Sequence, residues 1–348
     1  MTYTLGIDLH KRSSVWVLIN EKKEVVKKLT VPSTRGAVPV AVAELGVSPL
    51  QLKTAIEPVC GWRWYSEELE KHGLVMSIAN PAQVRLIADS KQKHDAYDAR
   101  MLAELLHIDY LPHAYRAPQD IVNLRALVRE RAFLVRMQTS IKNRIHAIAL
   151  RNGTLEGNSH ALRSAHREHL RTADVEVNRM FDLLIEIGRY VKPLEKRLSA
   201  IVKEHPVCRL ITSMPGFGVV TASAIYAEVG DFSRFSSGEK LASYAGLVPS
   251  QRSSGETTRM GHITKQGSGI LRYSMVEAAF RVRAAHPLYP FYERLERLAP
   301  KIGKKRARVA LAHKMLVILW HMVTANKPFD PAHCMTKRCD LESPLLTR

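Results

Sequence analysis

The chain has 348 residues, 46% of them hydrophobic, with 52 lysines and arginines against 33 acids, a formal net charge of +19 and a pI near 9.9. That length exceeds one ordinary core and implies at least two domains, and the apolar content excludes a wholly disordered chain. The strongest apolar run, MLVILW (315–320), is far too short to span a bilayer, which excludes a membrane protein, and a charge this positive points to a polyanionic partner. The start, MTYTLGIDLHK, has neither the basic region nor the apolar stretch of a signal peptide. Cysteines stand at 60, 208, 334 and 339; the last pair, beside His333, is a C-x4-C without a second ligand pair, so all are read as free thiols of a cytoplasmic protein.

In chain order, YTLGID (3–8) reads as a strand ending at Asp8, SVWVLIN (14–20) as a second and EVVKKLTV (24–31) as a third, together an antiparallel meander. A helix is predicted over 34–45, a strand over LKTAIE (52–57) ending at Glu57, a helix over 61–73 closed by Gly73, and a strand over 74–80 stopped by Pro81. After a basic stretch, KHDAYDARMLAELL (93–106) opens a helix over 95–107. A meander followed by strands alternating with helices describes a mixed α/β sheet. Asp95 and Asp98 sit at the start of that last helix, and two readings fit them. They cap it, meeting unpaired N–H groups and the positive end of its dipole. Or, being three apart on one helix face, they contribute to a hard oxygen site for a divalent cation.

The middle of the chain changes character. Leu124, Leu127, Leu134, Ile141, Ile145 and Ile148 lie on one helical stripe, broken by NGTLEGNS (152–159). Val177, Met180, Leu184, Ile187, Val191, Leu194, Leu198 and Ile201 then alternate in steps of three and four, a heptad seam, with Pro193 expected to kink or interrupt it. An antiparallel coiled-coil arm that pairs with another chain, or an ordinary helical bundle, would give this pattern. LITSMPGFGVVTASAIYAEVG (210–230) reads as helix, tight turn, helix, with Gly216 and Gly218 in a turn that suits a phosphate or closes a plain αα-hairpin. LVPSQRSSGETTRMGHITKQGSG (247–269) is too hydrophilic for a core and long for a connection, and carries Arg252, Ser253, Ser254 and Arg259. Helices are predicted at about 270–284 and 304–325, with basic PKIGKKRAR (300–308) between them, and a loose tail from about 331.

Asp8 and Glu57 each end a strand. If those strands are neighbours, which the sequence does not establish, Asp8, Glu57, Asp95 and Asp98 form a four-carboxylate cluster whose repulsion only divalent metal relieves. Two such ions about 4 Å apart clamp a phosphodiester. GIDLHK, AIEP and HDAYDARMLAELL together resemble the DEDD transposases of bacterial insertion sequences, the IS-one-ten (IS110) family of bridge-RNA-guided recombinases. SMPGFGVVTASAIYAEVGDFSRF and KLASYAGLVPSQRSSGETTRMGHITKQGSGILR are similar to that family's second domain. One departure is EPVCG, where Gly61 stands four residues after the glutamate instead of three.

The resemblance implies a RuvC-like, RNase H-like mixed-sheet domain over 1–115, a coiled-coil arm over 116–204, a mainly helical transposase domain over 205–330 and a tail over 331–348. It implies that Asp8, Glu57, Asp95 and Asp98 hold Mg2+, with Mn2+ as the substitute, and that the serine before a glycine, Ser254 before Gly255, attacks DNA to form a phosphoserine link. Ser253 is adjacent, so the register between the two stays open. Gly216, Gly218, Arg252, Arg259, Lys304, Lys305, Arg306 and Arg308 are the expected nucleic-acid contacts. Expected partners are donor and target DNA, a structured guide RNA, and further copies of the chain in a dimer or tetramer, in a nucleoid-associated bacterial setting. The competing readings are a RuvC-like nuclease using the carboxylates alone and a non-catalytic nucleic-acid-binding protein; the presence of all four carboxylates argues against the latter.

Overall fold

The computed structural model describes residues 2–87, 94–154, 168, 170–171, 174–254 and 257–334, the side chains of 252–260, 299–302 and 333–334 excepted. The chain divides into two compact units, residues 1–116 and 117–348. Among the described residues no helix is long and apolar enough to cross a membrane.

The first unit is built on five strands, β1 (Tyr3–Leu9), β2 (Ser13–Ile19), β3 (Val25–Pro32), β4 (Leu52–Ile56) and β5 (Val75–Ile78), in the order β3-β2-β1-β4-β5. β1, β2 and β3 pair antiparallel, whereas β4 pairs parallel to β1 and β5 parallel to β4. This is the mixed sheet expected of a RuvC-like domain, and it settles the open question of neighbours: Ile7 is opposite Ile56, so Asp8 and Glu57 leave the ends of adjacent parallel strands. Period-two alternation sorts the two faces. Leu5, Ile7, Leu9, Trp16 and Leu18 point to one side, where α1 (Ala37–Glu44) and α2 (Trp62–Lys71) cover them with Val38, Ala41, Tyr65 and Leu69. Thr4, Gly6 and Asp8, with Val15, Val17 and Ile19, face α4 (Asp95–His107) on the other side. One further helix, α3 (Pro81–Ile87), begins at the proline read as a strand stop. Proline is favoured at a first helical position because the N–H it lacks would be unpaired there anyway.

The second unit begins with α5 (Gln119–Arg151) and α6 (Val175–Glu204), which pack antiparallel. At one end Ile145, Ile148 and Ala149 meet Val177 and Phe181; further along, Arg131 pairs with Glu195 at 2.6 Å. Of the expected kink or interruption at Pro193, the interruption does not occur: α6 continues through it. The missing N–H forfeits one backbone bond, while buried Val191, Leu194 and Leu198 on either side keep the helix seated. Of the seam residues, Val177, Ile187, Val191, Leu194 and Leu198 are buried and Met180, Leu184 and Ile201 partly so, and the helix packs against α5 and α8 (Val219–Val229) of its own chain.

α7 (Pro206–Ser213) and α8 flank the predicted tight turn, followed by α9 (Gly238–Tyr244). The hydrophilic run forms a hairpin of β6 (Pro249–Ser254) and β7 (Thr257–Ile263), a pair of strands the sequence reading did not contain. α10 (Gly269–Phe280), α11 (Tyr289–Ile302), α12 (Lys304–Thr324) and the short α13 (Pro331–Cys334) complete the unit. α11 was not anticipated, and the basic run 300–308 is divided at Gly303 between α11 and α12. Cys60 is exposed and Cys208 buried, both free; Cys339 and the side chain of Cys334 lie outside the described residues.

Candidate metal centre and phosphate-facing turn

α4 lies along β1 and runs against it. At one end Thr4 Oγ1 is 3.4 Å from His107 Nδ1; at the other, Asp95 reaches the level of Asp8. Gly6 makes the close approach possible. A Cβ there would stand 1.8 Å from the Ala99 carbonyl oxygen and 2.8 Å from the Ala103 nitrogen, so only a hydrogen fits beneath the helix. Ala99 and Ala103, both fully buried, are the matching small residues on α4.

The helix start bears on both readings of the aspartates. The N-cap is His94, which makes no side-chain capping bond, and Asp95 and Asp98 occupy the first turn. Their charge suits the helix dipole, but neither is the cap. Asp95 Oδ2 lies instead 3.4 Å from His10 Nε2, whose other carboxylate neighbour is Asp8 Oδ2 at 3.0 Å. Asp8, His10 and Asp95 thus offer three ligand atoms within 4.8 Å of one another. Glu57 and Asp98 stand outside that tight group but act on Asp8 electrostatically. The Asp8 carboxyl is pushed up to about 6, by burial first; His10 opposes the shift, and Asp95, Asp98 and Glu57 add to it.

His10 was not singled out from the sequence, although a signal existed. It stands two residues after Asp8, and the period of a strand puts the two on one side.

These residues fit a divalent cation. Asp8 Oδ2 is buried and makes no hydrogen bond, although His10 Nε2 lies 3.0 Å away. A buried carboxylate oxygen without a hydrogen-bond donor, with further carboxylates acting on it, suits a cation, and hard oxygen donors with one imidazole are a divalent-metal set.

In the second unit, Gly216 takes φ +87, a conformation that favours glycine, and turns the chain between α7 and α8. Two residues missed from the sequence hold that turn. Arg281 donates to the Gly216 carbonyl at 3.2 Å. His286 accepts the Leu288 N–H on Nδ1, which leaves Nε2 as the protonated nitrogen donating to the Pro215 carbonyl at 3.0 Å. α8 starts after Gly218 with no side-chain cap, and its residues Thr221–Val229 are buried, so the turn is fixed on a rigid support.

Arg252 and Arg259 are cross-strand partners in the β6–β7 hairpin, and Ser254, opposite Thr257, is the last residue of β6. Their side chains, and Ser253's, lie outside the description. Lys304, Lys305 and Arg306 are exposed at the start of α12. Arg308 donates from Nη1 to the Ala279 carbonyl at 2.8 Å and lies 3.7 Å from the Tyr292 ring centre.

Comparison with known proteins adds two family matches. A DEDD-type family model described as "Transposase" matches residues 5–152, and the model "Transposase IS116/IS110/IS902 family" matches residues 208–296. The chain is 26% identical over 298 residues to the "Transposase for insertion sequence element IS1111A" of Coxiella burnetii, covering 81% of each chain. It is 26% identical over 294 residues to a "Probable family 20 transposase" of Pseudomonas aeruginosa, covering 80% of this chain and 85% of the relative. It is 24% identical over 275 residues to the "Pilin gene-inverting protein" of Moraxella bovis, covering 77% and 79%.

Proposed function

Since the chain belongs to the IS110 family of DEDD transposases, enzymes that cut and transfer DNA strands, we propose that it is an RNA-guided recombinase joining DNA through a phosphoserine intermediate at Ser254. The observation that carries the reading is the gathering of Asp8, His10 and Asp95 by adjacent strand and helix ends, with Glu57 and Asp98 close enough to act on Asp8.

Asp8, His10 and Asp95 would hold a divalent cation, Mg2+ or Mn2+, with Glu57 and Asp98 supplying further negative charge. Such an ion, when bound, neutralises charge that builds on phosphoryl oxygens. The Gly6–Ala99 contact holds the carboxylates in place before DNA arrives, so no reorganisation is needed during the reaction. In the proposed step the Ser254 hydroxyl oxygen forms a bond to phosphorus, one P–O bond to sugar breaks, and the departing sugar oxygen ends with the proton the serine loses. The turn at Pro215–Gly218 and exposed Lys304, Lys305 and Arg306 would meet the nucleic-acid backbone, and Arg252 and Arg259 are proposed to do so from the serine hairpin. A structured guide RNA would select the DNA by base pairing, leaving the protein to recognise backbone shape and charge, which accords with a net charge of +19. Further copies of the chain, in a dimer or tetramer, complete the proposed assembly.

A denaturing gel after incubation with donor and target DNA and co-purified RNA tests this. The wild-type chain is expected to leave a protein–DNA adduct that is lost with EDTA and in Ser254→Ala or Asp95→Asn. Free cut ends without an adduct would instead support a nuclease working by its carboxylates alone.

A further inference from the structure

A cleft of about 700 Å3 opens beside the acidic residues, wholly within the first unit. Its floor is the α4-side face of β2 and β3, where Val17 is opposite Lys28 and Val15 opposite Thr30. α4 packs over β1 and β2 through Ala99 and Ala103, but β3 at the sheet edge keeps Val25 exposed and its face open. The first turns of α4 form the wall with Asp95, Tyr97 and Arg100. Asp95 therefore belongs to two places: it closes the group with Asp8 and His10, and it lines this cleft.

The lining says what enters. The floor is apolar at Val15 and Val17, which suits the face of a base. Tyr97, 39% exposed, offers an aromatic ring on the wall, and stacking on such rings tolerates any base. Lys28 from β3 and Arg100 from α4 bring positive charge to the cleft, and the Arg100 guanidinium is oriented by its ion pair from Nε to Glu104 at 2.6 Å. Phosphates need that charge, and the apolar floor needs a base between them. The volume lies within the ordinary range of small-ligand sites, roughly 300–1,000 Å3, far below what a duplex requires. A base enters such a space only when it is unpaired.

We propose that this cleft is a nucleotide subsite: it takes an unpaired base of the DNA strand next to the scissile phosphate, stacked on Tyr97, with Lys28 and Arg100 on the flanking phosphates. The assignment to DNA rests on the strand-cutting reading of the Asp8–Asp95 centre, because a strand crossing that centre continues past Asp95 into the cleft. Tyr97, Lys28 and Arg100 are then positioning residues for the strand, since they touch substrate away from the bond that breaks.

Photocrosslinking of the full-length chain tests it in Ca2+ buffer, with a single-stranded oligodeoxynucleotide in which 5-iodouracil replaces thymine. The crosslink is expected on Tyr97, read by mass spectrometry of the peptide Asp95–Arg100 carrying the adduct. Tyr97→Ala is expected to abolish it and weaken oligonucleotide binding about tenfold, as for the loss of one stacked base, while Tyr97→Phe keeps both. Tyr110→Ala, exposed beyond the far end of the same helix, is expected to change neither. Crosslinks confined to other peptides, with Tyr97→Ala binding as wild type does, would overturn the subsite. A Tyr97 crosslink formed preferentially with the matching oligoribonucleotide would overturn the assignment to DNA. No covalent protein–DNA chemistry is needed for this readout. Failure of the Ser254 mechanism therefore leaves the crosslink intact, and failure of the cleft leaves the Ser254 adduct intact.

Discussion

At Gly6 a hydrogen in place of a methyl group decides how closely α4 approaches β1. A Cβ would overlap the Ala99 carbonyl, so Gly6→Ala pushes the helix and its aspartates away from Asp8. The expected cost is about 1–3 kcal/mol, typical of overpacking, read as a lowered melting temperature, together with loss of the stabilisation that the proposed Mg2+ site is expected to give the wild type. An undiminished Mg2+ effect in that variant would separate the helix approach from the site. Asp8 gives a second residue-scale prediction. Its carboxyl is pushed up from 3.8 to about 6, so in the metal-free protein the folded chain keeps a proton that the unfolded chain releases over that interval. Stability therefore falls as pH rises through the interval and stays lower above it. Asp8→Asn cannot lose a proton, so in EDTA its melting temperature is expected to exceed that of the wild type near pH 7 and to converge with it near pH 4. A variant less stable than wild type at the higher pH would show that the ionised Asp8 does not carry this cost of burial. Of the group that the structure brings together, Asp8 and Asp95 were legible as candidates in the sequence, one ending a strand pattern and one starting a helix pattern, whereas Glu57 and Asp98, read with them, stand outside that group. That β1 and β4 are neighbours was not legible, because pairing between distant strands leaves no local trace.

At the scale of elements, long periodic segments were read well and polar ones poorly. α4 and the seam helices follow from apolar spacing. The β6–β7 hairpin was missed because its strands are built from Ser, Thr, Gln and Arg, which leave no apolar alternation to detect. At Pro193 the helix is not interrupted, because one lost hydrogen bond is outweighed by the burial of Val191, Leu194 and Leu198 around it. The same burial changes how an arm contact should be tested. Ile187→Asp would place an unpaired charge in the chain's own core and unfold the protein. Phe133 on α5 and Tyr190 on α6 are exposed apolar residues on those helices. If the arm pairs chains, Phe133→Asp with Tyr190→Asp lowers the mass measured by light scattering while the melting temperature holds. An unchanged mass would exclude these outer faces from the oligomer contact.

At the scale of the whole chain, each unit supplies one part of the proposed chemistry. The first presents a carboxylate centre with an orphaned buried oxygen; the second presents a glycine turn on a buried helix, proposed to meet phosphate, and the hairpin that ends its first strand at Ser254. The charge of +19 was the sequence's plainest statement about partners, and the serine its least decidable, because nothing in RSSGET distinguishes a nucleophile from a turn former. The most direct measurement is therefore mass spectrometry of the trapped protein–DNA adduct after nuclease and protease digestion. The account predicts a phosphonucleotide on the peptide Ser253–Arg259, attached at Ser254 and absent from Ser254→Ala. Attachment at Ser253 would move the nucleophile by one residue, and full recombination by Ser254→Ala would contradict the serine mechanism.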